Sequence, residues 1–426
     1  MEKMSVSRRS FMVGAGAMAA MQGISLAQNA PKTFKYALVG CGGRGTGAAA
    51  NIEEAARNLG MVAKMVGAAD FFEDKAKAVC KAHGCDEKFA FGGGDGYKKL
   101  LEGDADIVLL CTPPIFRPLH AEAVIAAGKH LFAEKPIAVD PPGIRRFLKA
   151  VEAAKQRKQM ILSGTCHRPN WRALQLIKPV RDGVIGEILG GVVYRCHGAI
   201  WERPRRPTDT NAGYLANNWY NFREMCGDNL TEQAIHEVDL ANWFVGRYPE
   251  RAMGIGARYR KSTGNGYNCL SVDYDYGKNL HIHAIARQVN GCWDRCCAML
   301  TGTKGQIDVL GSKIVLADGT SKPFPFDTEA IKGINQNMMV NEHMDLLKAL
   351  NSGTYMNEGD FEAMSTATTV MGTLATYTGQ MVRMSDLLTN EKSPIYNWKW
   401  PVQPEDFERG EDIKLPGENE WMVPGQ

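Results

Sequence analysis

The sequence predicts two folded units in tandem: an α/β unit on a doubly wound parallel sheet, then an α+β unit on a mainly antiparallel sheet. Three observations carry this. Apolar strand-like runs alternate with helical stretches from about residue 34 to residue 164, the βαβ rhythm of a parallel sheet. After residue 165 the strand signals lengthen and are joined by turns such as Tyr276-Gly277-Lys278-Asn279 and Gly302-Thr303-Lys304-Gly305, which suits antiparallel pairing. The 426 residues also exceed what one hydrophobic core usually organises, so two cores are the default.

In the first unit, Tyr36-Ala37-Leu38-Val39 reads as a strand. It is followed by Gly40-Cys41-Gly42-Gly43-Arg44-Gly45 and a small-residue helix start over 46–52. A G-x-G-x-x-G carries weight only between a strand and a helix, and here it has both neighbours. Gly40 permits the tight turn, Gly42 lets backbone approach a pyrophosphate, and Gly45 lets helix and strand pack closely. Gly43 and Arg44 open the helix, whose free N–H groups favour an anion. Asp70 closes the next apolar stretch, 61–69, near the place of the acid that binds a ribose 2′-OH. An acid there disfavours a 2′-phosphate, so the cofactor is read as NAD rather than NADP. The alternative is a glycine turn without nucleotide. Helices over 73–82 and 97–101 follow, then a buried strand over 106–111 and a helix over 120–127. A strand over 130–133, a helix over 141–157 and a strand over 160–163 complete this Rossmann-type unit.

In the second unit, strands are expected over 190–197, 251–259, 270–276, 280–288 and 297–301. Helices over 230–244, 335–351 and 361–383 would cover one face. The boundaries so drawn are 34–164 for the nucleotide unit, 165–390 for a substrate and oligomerisation unit, and 391–426 for an irregular tail on the surface.

Residues 1–27 read as an export signal. Ser7-Arg8-Arg9-Ser10-Phe11-Met12 precedes a mildly apolar run over 13–24, then Ser25-Leu26-Ala27. This resembles a bacterial twin-arginine signal, implying a periplasmic or otherwise exported protein. The run is too short and too rich in Gly and Ala for a stable membrane span. Its removal takes Lys3, Arg8 and Arg9 with Glu2, so the formal +3 becomes +1. Such a balance gives no reason to expect nucleic acid or an anionic membrane as partner. Eleven cysteines show no disulfide-framework spacing, and small buried hydrophobes are the expected role if folding precedes export. Cys292, Cys296 and Cys297 with His281 and His283 lack a zinc spacing, so no metal is expected.

Ala133-Glu134-Lys135-Pro136 after a strand, with Gly128-Lys129-His130 before it, resembles the Glu-Lys-Pro motif of the Gfo/Idh/MocA oxidoreductases. Glu232-x-x-x-His236-x-x-Asp239-x-x-x-Trp243-x-x-Gly246 is the second match, and Thr112-Pro113-Pro114 with His120 the third. The resemblance runs from about residue 34 to residue 386. It implies a Rossmann domain followed by a domain with an open sheet, often used to form homo-oligomers. It also implies interconversion of a secondary alcohol and a ketone on a sugar or cyclitol. Thr112, Pro113, His120, Glu134, Lys135 and Pro136 would then border the cofactor. One departure is Glu232, where many members carry Asp four residues before the active-site histidine.

The chemistry asked of these residues can be argued on its own. Hydride loss from a secondary alcohol needs a group to take the hydroxyl proton and a positive field over the developing alkoxide. Lys135, at a carboxyl strand end and before Pro136, could orient substrate and share its proton. His236 has an unperturbed pKa near neutrality and suits general acid/base work. Glu232 lies four residues earlier on the same helix face and could hold the imidazole or touch substrate hydroxyls. The plain alternatives are a surface ammonium for Lys135, an interfacial histidine for His236 and a helix-orienting acid for Asp239. His167 and Arg168 follow the last parallel strand and could reach nicotinamide and substrate respectively. Trp219 and Tyr220, in an aromatic, amide-rich segment, suit a sugar's C–H patches and hydroxyls.

The function expected is an NAD-dependent oxidoreductase on a sugar or cyclitol hydroxyl. Export removes the chain from the free NAD pool, so the cofactor is expected to be tightly held and recycled. The alternative is a redox-neutral glycoside hydrolase, in which oxidation, elimination, hydration and reduction follow one another. A non-catalytic NAD- or sugar-binding module is a second alternative.

Overall fold

The structure is a computed structural model and describes residues 31–259, 263–311, 313–323, 333–410 and 412–417. The signal expected over 1–27 lies outside the described residues. Six strands form the first sheet: β1 (Thr33–Val39), β2 (Val62–Ala69), β3 (Ala90–Phe91), β4 (Ile107–Leu110), β5 (His130–Ala133) and β6 (Ile161–Ser163). Their order is β3-β2-β1-β4-β5-β6, parallel throughout. β4 is buried along its whole length, as expected of a strand covered on both faces. The order reverses between β1 and β4, so the loops leaving these strands part and open a crevice at the sheet's carboxyl edge.

Nine strands form the second sheet: β7 (Ile188–His197), β8 (Arg251–Ala257), β9 (Cys269–Asp275), β10 (His281–Gln288), β11 (Arg295–Gly302), β12 (Gly305–Asp308), β13 (Lys313–Leu316), β14 (Ser321–Pro323) and β15 (Val382–Arg383). They run in the order β14-β13-β12-β11-β7-β10-β9-β8-β15. The pairings are antiparallel except that of β7 with β10. Helices Ile235–Val245 and Gly359–Thr378 pack on one face. The other face is open, with Met253 51% and Ile255 70% exposed on β8.

Three expectations need correction. The helix expected over 335–351 forms as Met338–Ser352 but does not cover the second sheet. It packs on the first unit's helix Gly43–Asn58, where Val340, Met344 and Leu347 meet Ala48, Ala49 and Ile52. The helix expected over 361–383 stops at Thr378, where Gly379 takes a left-handed φ of 63°, and Val382–Arg383 becomes edge strand β15. The tail is not merely a surface wrapping. Trp400, Val402 and Phe407 are buried and form a small core with Phe116, Tyr214 and Met225. Large apolar side chains in a proline-rich stretch found a groove between the units, which sequence periodicity does not register.

Candidate active site

The cavity begins at the glycine turn. β1 ends at Val39, and Gly40 takes φ +93° against β4's end, where a Cβ would stand 2.6 Å from the Cys111 carbonyl carbon. A Cβ on Gly45 would overlap the Gly40 carbonyl oxygen, so helix and strand can approach only with glycine here. Gly42 and Gly43 instead face open space within the cavity wall. The helix Gly43–Asn58 has neither a side-chain cap nor an acid in its first turn. Its N–H groups and positive end are therefore left to whatever occupies the cavity. That cradle fits the diphosphate of a dinucleotide.

Asp70 follows β2 at the same edge. Its Oδ2 accepts from Cys41 N at 2.7 Å and its Oδ1 from Phe72 N at 2.9 Å. These bonds orient the carboxylate and leave lone pairs for a ribose diol, while burial raises its pKa. Arg44 turns back to Glu134, with Nε 3.1 Å from Oε1, and its NH1 meets Met339 Sδ at 2.6 Å. The expected loop after β4 also borders the cavity: Thr112 Oγ1 lies 3.4 Å from His120 Nδ1, and Pro113 lines the wall beside them. His120 is packed between Tyr97 and Phe116, and burial pulls its pKa down to about 3, so it is neutral.

The chemical end lies between β5 and the helix at 230–245. Lys135 follows β5, with a cis bond to Pro136. Its Nζ donates to Glu232 Oε1 at 2.9 Å and to the Glu232 carbonyl at 2.6 Å. The segment Leu230–Ala234 is a π-helical turn that continues into the helix Ile235–Val245. Such turns loosen the carbonyl ladder and concentrate at functional sites. It presents Glu232 and His236 to one cavity. The ordinary near-neutral pKa expected for His236 is corrected: burial first, then Lys135, His167 and Arg195, hold it well below 6.5. His236 is thus a neutral imidazole with a lone pair free to face a substrate hydroxyl. The cavity volume is about 840 Å³, near the top of the usual ~300–1,000 Å³ for ligand sites. It runs from Asp70 past the glycine turn to Lys135 and His236, and on to Tyr220, Trp219 and Trp201.

Four expected site residues do not reach this cavity. Pro136 and His167 lie behind it, the His167 ring 4.8 Å from that of His236. Arg168 and Asp239 are turned to each other in a two-pronged pair, 2.8 Å at each prong, and Ser365 Oγ adds a bond to Asp239 at 2.6 Å. Arg168 also lies on the Phe361 ring. With Ser365 this pair ties the turn after β6 to the helices Ile235–Val245 and Gly359–Thr378, which is the plain alternative for Asp239. Sequence reasoning missed Lys75, Arg195 and Glu342, all in the cavity wall. Glu342 lies within the stretch 34–386 over which the resemblance runs, the one signal that bears on it. The others depend on which way their elements face.

Cys166, His167 and His236 each place one ligand atom within 4.8 Å of the others. The Lys135 charge bears on both His236 and Cys166 and works against a dication there. The Cys292, Cys296 and Cys297 cluster offers no such set, since His281 binds Asp273 and His283 binds Ser271. All eleven cysteines are free.

A glycine cradle at a switch point, joined to a lysine–glutamate pair and a half-buried histidine, defines a nucleotide-dependent oxidoreductase. The chain belongs to the Gfo/Idh/MocA oxidoreductase family. The model for the family's NAD-binding Rossmann fold matches residues 34–163, and that for its C-terminal alpha/beta domain matches residues 177–387. An inositol 2-dehydrogenase of Rhizobium meliloti is 28% identical over 301 residues, 68% of this chain and 81% of that protein. A glycosyl hydrolase family 109 protein 2 of Shewanella is 31% identical over 132 residues, only 30% of this chain and 28% of its own length. Among solved structures, the WlbA dehydrogenase from Bordetella pertussis, in complex with NADH and UDP-GlcNAcA, aligns with a TM-score of 0.65 at 21% identity. It covers 83% of this chain and 98% of that one. At such identity the likeness speaks for the fold alone.

Proposed function

We propose that the chain is an NAD-dependent oxidoreductase acting on a secondary hydroxyl of a sugar or cyclitol, exported with its nucleotide tightly held and recycled. The observation that carries this reading is the Lys135–Glu232 pair beside neutral His236, in the same cavity as the glycine cradle. Bound NAD would supply the acceptor for the hydride of the carbinol carbon. Glu232 aims the Lys135 ammonium, so it can hold the substrate oxygen and stabilise charge developing there. His236 takes the hydroxyl proton. Asp70, with the ribose diol, favours NAD over NADP although Lys75 lies nearby over Phe72. The relative named inositol 2-dehydrogenase supports the substrate class. The open face of the second sheet is where a second copy would sit.

The second reading is the redox-neutral glycoside hydrolase, supported by the partial match to glycosyl hydrolase family 109 proteins. Identification of the nucleotide released from untreated protein tests the cofactor. Incubation with glycosides in D₂O, without added NAD, separates the two readings. Deuterium at C2 of the released sugar with no net NADH supports the hydrolase. Keto-sugar formed without added NAD, one per bound nucleotide and more when a second carbonyl is supplied to take the hydride, supports the recycling oxidoreductase. Keto-sugar with stoichiometric NADH only in a parallel incubation with NAD overturns the tightly held cofactor. Asp70→Ala should weaken NAD more than NADP, and equal weakening of both would reject the ribose assignment.

A further inference from the structure

Beyond Lys135 and His236 the cavity wall continues through Tyr220, Trp219, Trp201 and Arg203. Tyr220 lies beside the chemistry, close enough to Glu232 for that carboxylate to push its phenol pKa further up. Trp219 follows with its ring 5.0 Å from Tyr220, and Trp201 lies beyond both, 6.1 Å from Trp219 and 5.7 Å from Tyr220. All three line the cavity, and Trp201 is 41% exposed.

A lone exposed indole would be unremarked on any surface. This one is built in. The Trp201 carbonyl accepts from Asn221 Nδ2 at 3.1 Å. Buried Asn218 accepts from Arg203 N at 3.0 Å and from Asn221 Nδ2 at 2.9 Å. Arg203 NH1 donates to Asn217 Oδ1 at 2.6 Å, and its guanidinium stands 4.8 Å from the Trp201 ring centre. Residues 201–203 are thus pinned to 217–221 by a network of amides. With the backbone on either side of the indole fixed, less ordering is needed when a ring stacks on it. The neighbouring guanidinium has further N–H groups to offer hydroxyls.

Resting on the carbohydrate reading above, we infer that Trp201 and Arg203 form an outer subsite for a second ring joined through the glycosidic oxygen to the sugar at Lys135. The substrates are therefore glycosides, not free cyclitols or monosaccharides. The ring's apolar face stacks on Trp201, and its polar edge meets Arg203. A second sugar and an aryl aglycone share this chemistry.

The test uses the untreated protein with gluco-, galacto- and manno-configured methyl hexosides, their matching disaccharides and their 4-nitrophenyl hexosides. Calorimetry gives the ratio of affinities, two-ring ligand over methyl glycoside. Trp201→Ala should lower that ratio about five- to tenfold, the scale of one aromatic stacking contact. Trp201→Phe should restore most of it, a recovery that a purely structural role would not produce. A preference for the disaccharide identifies a second sugar, and one for the nitrophenyl compound an aryl group. A ratio unmoved by Trp201→Ala, with methyl glycosides still bound by the wild type, overturns the subsite alone. If the wild type binds no carbohydrate at all, the subsite and the substrate class fall together.

Discussion

Lys135 illustrates how a residue acquires its role from one strand end and one turn. Its motif was legible because strand, lysine and proline are consecutive in sequence. Its partner lies 97 residues away, and the π-helical turn that lets both the Glu232 carboxylate and carbonyl receive it has no sequence signature. Lys135→Ala and His236→Ala should each lower turnover by ~10²-fold or more, while the nucleotide stays bound. Turnover close to wild type in either variant removes that residue from the mechanism. His343 supports a prediction of another kind. It is wholly buried against Phe132, neither ring nitrogen has a partner among the described residues, and its pKa falls to about 3. The unfolded chain therefore takes a proton below about pH 6.5 that the folded chain refuses, so this contribution to stability is full above 6.5 and is lost as pH falls toward 3. His343→Phe should flatten the acid side of the stability curve by about one proton. Urea unfolding between pH 4 and 7 measures this, and parallel curves for the two proteins would contradict it.

Among the elements, the first sheet was the most readable part of the chain. Its central strands are short apolar runs, and the six assignments 73–82, 97–101, 106–111, 130–133, 141–157 and 160–163 each match the observed ends to within one residue. The tail was the least readable. The short helix Pro404–Arg409 places Phe407 against Phe71 and Phe116. Glu408 receives Tyr97 at 2.6 Å and Lys98 at 2.7 Å. Phe71, Tyr97 and Phe116 all line the cavity, so the tail braces the wall at the end marked by Asp70. Phe407→Ala should speed release of NADH about tenfold, as a cavity opened behind that wall loosens it. NADH fluorescence on dilution measures it, and an unchanged release rate would leave the tail a purely stabilising element.

At the scale of the whole molecule, one hydrophobic core runs from the first sheet through helix Gly359–Thr378 into the second sheet. Helix Met338–Ser352 returns to the first unit. Lys135 and Glu232 thus face each other across a seam that is itself packed core, which favours one fixed geometry over hinged opening. A nucleotide held across this seam binds only the folded chain. Stripping it should therefore lower the thermal midpoint, and adding NAD at about 100 times its dissociation constant should restore ~2.7 kcal/mol. A midpoint indifferent to NAD would contradict a tightly held cofactor. By itself the sequence determined the parallel sheet, the glycine cradle, Asp70, Lys135 and the pair Glu232 and His236. Each is a local pattern of strand, turn or helix, readable within a few residues. Only the tertiary structure decided that Arg168 and Asp239 bind each other, that Trp201 extends the cavity and that the tail backs its wall. Those outcomes depend on side-chain direction and burial between segments distant in sequence, where no short-range periodicity records which face meets which.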